Sequence, residues 1–203
     1  ETPTSIRQGS SGSVSLVAPD GSLHLISITS ALVHQMRTPD GDWQPYTNLA
    51  NFSVSSPVIG LGAAIDSDNV LHVVWSIGPI FGDSGKIYYI SRTPQGIWST
   101  VEYLGEGTIT SLAVDTKGVI HLIYLCQAES ICTPARVQYR TKAITGGWSA
   151  ETTVATGTYI RYLQFISGRD DVLHVAWMDM VRIESHNRFF YRLQYRTRST
   201  SGN

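Results

Sequence analysis

One phrase recurs four times along the chain: PDGSLHLIS (19–27), DSDNVLHVVW (66–75), DTKGVIHLIY (115–124) and RDDVLHVAW (169–177). Each copy is a polar turn followed by a short apolar strand with a histidine in second place. The histidines are His24, His72, His121 and His174, spaced 48, 49 and 53 residues apart. A period near fifty residues means an array of like supersecondary units, and any fold that ignores it is excluded.

The unit can be read strand by strand. SVSLVA (13–18) and its counterparts form a first strand, and a tight turn leads into the histidine strand. The turn holds Gly21, Asn69, Gly118 or Asp171, residue types that tolerate a left-handed backbone, so each pair is a β-hairpin. The second strand is apolar on both alternating faces: Leu71, Val73 and Trp75 on one, Val74 beside His72 on the other. It is therefore expected to be buried on both sides. A third strand rich in β-branched and aromatic residues follows and ends in Arg37-Thr38, Arg92-Thr93, Arg140-Thr141 or Arg196-Thr197. In the first three copies a Gly-containing turn then ends at Trp43, Trp98 or Trp148, from which a fourth strand is expected, as in 98–104 and 148–154. No segment of ten residues carries a 3.6-residue apolar period.

The fourth copy stops after its third strand. Glu1-Thr2-Pro3-Thr4 resembles Glu151-Thr152-Thr153-Val154, and each glutamate lies 23 residues before a repeat histidine. Residues 1–9 are thus expected to complete the last unit. Residues 1–203 then form a single all-β domain, a β-propeller of four four-stranded antiparallel blades. It would be either a closed four-bladed ring or half of a larger one. The chain begins ETPTSIRQGS, with neither an initiator methionine nor a signal peptide, which reads as a processed or excised form.

The unit also resembles the repeats of the sialidase superfamily and its Asp-box relatives. Those place a turn of the form Ser-x-Asp-x-Gly-x-Thr-Trp between the third and fourth strands, where RTPDGDW (37–43) and RTPQGIW (92–98) stand here. Asp40 holds the aspartate position in the first copy and Gln95 in the second. The resemblance implies a propeller that handles glycans. A sialidase would further need three arginines on the substrate carboxylate, a tyrosine nucleophile with its glutamate, and an aspartate for proton transfer. SIRQ (5–8) departs from the Arg-Ile-Pro form of the first arginine motif. Arg161, Tyr162 and Glu184 match only in residue type, so no catalytic residue is assigned.

Composition narrows the function classes. Charged residues make up 15% of the chain against about 25% in an average soluble protein, and the net charge is −1. That leaves no field to attract nucleic acid or anionic lipid, and no apolar run is long enough to insert in a membrane. Cys126 and Cys132 flank a hairpin loop at a spacing foreign to zinc or redox pairs. A disulfide is expected there, and with it an oxidising compartment, secreted or at the cell surface. No metal or cofactor is expected.

The four histidines recur once per blade, too far apart to share a ligand, and are read as structural, as are the tryptophans packed between blades. Function is sought instead in what departs from the repeat. Blades two to four carry long links between second and third strands at 76–86, 125–135 and 178–188, and rigid scaffolds commonly display function on such loops. Phe81, Asp83, Glu129, Asp179, Arg182, Glu184 and His186 lie in them and are the candidate ligand-binding residues. The function expected is a non-catalytic, lectin-like binding module for a glycan or protein partner, with a homodimer completing a larger ring as a further possibility. A sialidase-like glycoside hydrolase, or a fragment of one, and a structural assembly subunit are the alternatives.

Overall fold

The computed structural model describes residues 12–79, 85–127, 132–168, 170–183 and 188–199, and these are strand, turn and loop without a helix. Blade 1 contains β1 (Gly12–Val17), β2 (Leu23–Ile28), β3 (Ala31–Arg37) and β4 (Thr47–Asn51). Blade 2 contains β5 (Val58–Ile65), β6 (Leu71–Ile77), β7 (Lys86–Arg92) and β8 (Glu102–Glu106). Blade 3 contains β9 (Thr108–Val114), β10 (Ile120–Cys126), β11 (Ala135–Lys142) and β12 (Thr152–Gly157). Blade 4 contains β13 (Ile160–Ser167), β14 (Val172–Ile183) and β15 (Arg188–Ser199). In every sheet the strands lie in chain order and pair antiparallel. These are propeller blades, and the array they form is open rather than closed into a ring. The segment 1–9 assigned to the last blade lies outside the described residues.

The turns explain the hairpins. Gly21, Asn69, Gly118 and Asp171 all have positive φ, between 57° and 88°. In blades 2 and 3 the carboxylate of Asp66 or Asp115 accepts the N–H groups two and four residues on, closing the turn from inside.

The core lies between sheets rather than within one. Ile26, Ile28 and Leu32 of blade 1 meet Leu71, Val73, Trp75 and Ile90 of blade 2. On the other face of blade 2, Val74, Ile87 and Tyr89 meet Leu112, Leu122 and Tyr124 of blade 3. The opposite face of blade 3 presents Ile123, Leu125, Val137 and Tyr139 to Leu163, Phe165, Val175 and Trp177 of blade 4. Hence β6 and β10 are buried on both faces, whereas β2 is buried on alternate residues only.

Each histidine strand carries a polar relay. His72 Nδ1 lies 2.8 Å from the Tyr89 hydroxyl, and Nε2 faces the Asp66 carboxylate at 3.4 Å. A carboxylate only accepts, so Nε2 carries the proton and Nδ1 accepts from the tyrosine. His121 repeats this with Tyr139 at 2.6 Å and Asp115 at 3.2 Å, although the latter contact is poorly aligned for a hydrogen bond. Blade 1 differs: His24 is joined to Ser22 at 3.0 Å and to His34, which stands where the other blades have tyrosine, at 2.9 Å. In blade 4 His174 reaches Tyr195.

Two expectations are corrected. The fourth strands begin later than the tryptophans, at Glu102 and Thr152 rather than 98 and 148. Trp98 and Trp148 make single bridges to Arg92 and Lys142, after which Ser99 and Ser149 turn their hydroxyls onto the N–H groups of Ser91 and Thr141. That side-chain bond replaces a ladder bond and delays regular pairing. Nor are the four Arg-Thr pairs equivalent. Arg37 and Arg92 end their strands and bridge to tryptophan, a place that Lys142 takes in blade 3. Thr38 and Thr93 close the following turn by accepting from Asp42 and Ile97 N–H. Arg140 and Arg196 lie two residues earlier in register and brace the preceding blade through the carbonyls of Leu104 and Val154.

The tryptophans of blades 2 and 3 do pack on the preceding blade. Trp98 meets His34 edge-on at 5.2 Å, and Trp148 meets Tyr89 likewise at 5.2 Å.

Two predictions follow from the seams. Trp148→Ala should lower unfolding free energy by about 3 kcal/mol, the lower end for truncating a large aromatic, measured by urea denaturation. Burial, first, lowers the pKa of His24, His34, His72 and His121, with His34 reaching about 3 through the added charges of His24 and Arg92. A depressed histidine binds its proton more readily unfolded, so its stabilisation holds above the ordinary value of 6.5 and drains as pH falls below it. Denaturation midpoints should therefore drop steadily from pH 7.5 to pH 5, and His34→Tyr, which restores the sister arrangement, should flatten that slope.

Candidate functional site

The long links all open on one end of the array, the end at which each outer strand crosses to the next inner strand. Phe81, Asp83, Glu129, Glu184 and His186 lie outside the described residues. Arg182 belongs to β14, where its backbone pairs with Phe189. Asp179 is the candidate whose side chain can be placed.

Asp179 sits in β14 between Ile160 of β13 and Arg192 of β15. It is 8% exposed, yet its Oδ1 is buried without a hydrogen-bond partner among the described residues, and Oδ2 lies 3.6 Å from the largely exposed Arg192 guanidinium. Gly157 makes this position possible: a Cβ there would stand 2.7 Å from Asp179 Oδ1. The crossover from blade 3 thus runs directly past the carboxylate. A buried carboxylate with an unused acceptor oxygen is costly to hold and is a ready seat for a donor hydroxyl.

Two further contacts fix the surroundings. Gln127, in the link next to Cys126, accepts the Ile160 N–H at 2.9 Å, tying the blade 3 loop to blade 4. The loop is framed by the Cys126–Cys132 disulfide, with Cα atoms 5.7 Å apart, inside the range a disulfide requires. Tyr159 accepts Met180 N–H through its carbonyl, while its ring and hydroxyl hold the exposed Arg161 guanidinium. Asp179, Arg192 and Gln127 therefore gather at the loop end of the seam between blades 3 and 4, while Arg161, opposite Met178, lies on the other face of blade 4. Tyr162, beside Arg161 in β13, has φ 54° and is 65% exposed.

Gln127, Gly157, Tyr159 and Arg192 were not among the residues singled out by sequence. Gly157 and Tyr159 had a signal in the crossover 157–161, Gln127 lies within the 125–135 link already singled out, and Arg192, inside the repeated third strand β15, had none.

The same seam holds a cavity of about 280 Å³ lined by Tyr139, Val154, Phe165, Val175, Arg196 and Arg198. Arg198 lies over the Tyr139 ring at 5.1 Å, on the aromatic that corresponds to those under Trp98 and Trp148. The cavity is a packing seat of the repeat rather than a formed site.

No protein-family model matches the chain, and no curated protein matches it in sequence. Solved structures do match. An α-L-arabinofuranosidase from Podospora anserina in complex with cellotriose aligns with a TM-score of 0.53 at 12% identity, over 89% of this chain and 70% of its own. An endo-arabinase from Bacteroides thetaiotaomicron aligns at 0.50 and 10% identity, over 89% and 72%. A fucose lectin from Kordia zhangzhouensis aligns at 0.42 and 16% identity, over 73% and 99%, too low to carry an argument. At these identities the first two establish the fold alone, the β-propeller.

Placing a methyl at residue 157 tests whether the crossover positions Asp179. Gly157→Ala should displace the carboxylate and weaken any ligand that depends on it by at least about tenfold, equivalent to 1.4 kcal/mol, with titration calorimetry as the readout. The disulfide makes its own prediction: the unreduced, denatured protein should show no reactive thiol, and reduction should release both.

Proposed function

We propose that the chain is a non-catalytic propeller module that binds a glycan at the loop end of the seam between blades 3 and 4. The observation that carries the reading is Asp179, whose buried Oδ1 lacks a partner among the described residues while Arg192 stands at the rim. A carboxylate accepts hydroxyl hydrogens, the commonest donors on a sugar, and the Arg192 guanidinium supplies donors beside it. Phe81, Asp83, Glu129, Arg182, Glu184 and His186 are proposed as further contacts from the surrounding loops. The Asp-box-like turns RTPDGDW and RTPQGIW and the two carbohydrate-related proteins of the same fold support a glycan over a protein ligand. The disulfide supports a secreted or cell-surface location.

A glycoside hydrolase is the second reading, favoured by the arabinofuranosidase and endo-arabinase that share the fold. Most glycoside hydrolases work with two opposed carboxyl groups, and in that scheme Asp179 would require Asp83, Glu129 or Glu184 as its partner.

A glycan array followed by titration of the hits tests both readings. The binding module predicts a defined glycan class, bound without turnover. Asp179→Asn should reduce affinity at least about tenfold while thermal stability holds or rises, because the change removes a buried charge that is faced at Oδ2 by the largely exposed Arg192 and has no partner at Oδ1 among the described residues. An empty array, or an Asn variant that binds as well as the parent, overturns the proposal. Turnover of a fluorogenic glycoside lost in the same variant replaces it with the hydrolase.

A further inference from the structure

The seams reveal a surface with half of an interface already built. Toward the next position in the array, blades 1, 2 and 3 present apolar faces that the following blade covers. In blade 4 the corresponding face carries Ile166, Leu193 and Tyr195, which are 65%, 71% and 59% exposed, and Tyr191 is 55% exposed beside them. Strand register places them together: Ile166 opposite His174, Ala176 opposite Tyr195, and Met178 opposite Leu193. Tyr195 holds the place of His34, Tyr89 and Tyr139, bonded to its own blade's histidine as Tyr89 and Tyr139 are. His34 and Tyr89 each receive the tryptophan of the following blade.

The matching half lies at the other end of the chain. Trp43 is the blade 1 counterpart of Trp98 and Trp148, bridged to Arg37 as they are to Arg92 and Lys142, and it is half-exposed. On the free face of blade 1, Val17 is 72% exposed, next to the half-buried Leu23 and Leu25.

We infer that a second copy of this chain docks its first blade on the free face of blade 4, seating Trp43 of one copy on Tyr195 of the other. The join is head to tail and repeats the geometry of the internal seams, so it is a continuation of interfaces already formed three times in each chain. The turns agree with it. Asn69 reaches back to Asp20 N–H at 2.9 Å, and Asp171 to Thr116 N–H at 2.8 Å, whereas Gly118 has no side chain to reach with. Glycine and a reaching side chain thus alternate along the array, and Gly21 of a second copy placed after Asp171 continues the alternation. Residues 1–9 of that copy, running into its β1, are then the proposed fourth strand along the open edge of β15. Two such joins bring eight blades around one axis.

The free face of blade 1 is more polar than the internal ones, with Ser13 and Ser15 exposed and Gln35 beside them. The association is accordingly reversible, stronger at high protein concentration.

Sedimentation equilibrium of the full chain across a concentration series tests the inference. The apparent mass should double with concentration. Trp43→Arg and Tyr195→Arg should each hold the protein at the mass of one chain, with Leu193→Asp as an independent surface variant doing the same. Circular dichroism should show all three folded, since the side chains changed are at least partly exposed. Mixing the Trp43→Arg and Tyr195→Arg proteins should restore a two-chain species, because one intact Trp43–Tyr195 join survives in the mixture. Three outcomes overturn it: a single-chain mass at every concentration, a two-chain mass unmoved by the folded variants, or no restoration on mixing. A two-chain mass kept by Trp43→Arg but lost in Tyr195→Arg and Leu193→Asp would also overturn it, and would identify a face-to-face pair of blade 4 surfaces instead. None of these outcomes bears on whether a glycan binds.

Discussion

Face-to-face packing of one blade on the next is the constraint on which everything else in this chain rests. A four-stranded sheet of five- to eight-residue strands has two faces and no core of its own, so its stability comes from being covered on both. β6 and β10 are in that position and are buried at every residue but the last of β6. Their histidines are polar groups in an apolar seam, tolerable because a tyrosine hydroxyl meets one ring nitrogen and an aspartate carboxylate faces the other. Strand register, histidine and third-strand tyrosine must recur together, which is why the period is visible in the sequence at all.

That dependence separates what was legible from what was not. The histidine strand could be read because burial on both faces leaves an unbroken apolar run, and the turns because positive φ restricts residue choice. Trp98 could be read as a seam residue but not as lying outside the fourth strand. What delays that strand is the hydroxyl of Ser99 on Ser91 N–H, a single side-chain bond with no periodic trace. The Arg-Thr pairs misled for a related reason. Arg140 and Arg92 look alike in sequence, but strand register puts one on a neighbouring carbonyl and the other at a bridge to tryptophan.

The candidate site was legible in outline. Asp179 was accessible as a departure from the repeat, and six other loop residues were named on the same ground. Gly157 was not, because its importance lies in the 2.7 Å approach of a side chain 22 residues away, which only three dimensions supply. The site and the scaffold are linked through that seam. The crossover that hands the chain from blade 3 to blade 4 also presses against the carboxylate, so a residue costly to bury is held by elements the fold requires anyway.

If stability resides between blades, protection should follow coverage and not hydrogen-bond count. Native-state hydrogen exchange at a concentration that keeps the chain single measures this directly. The account predicts that amides of β6 and β10, covered on both faces, exchange most slowly. Those of β14 should exchange faster despite its twelve-residue ladder with β15, because one face of blade 4 is open. Equal or greater protection in β14 under those conditions would contradict it, placing the stability within the sheets themselves.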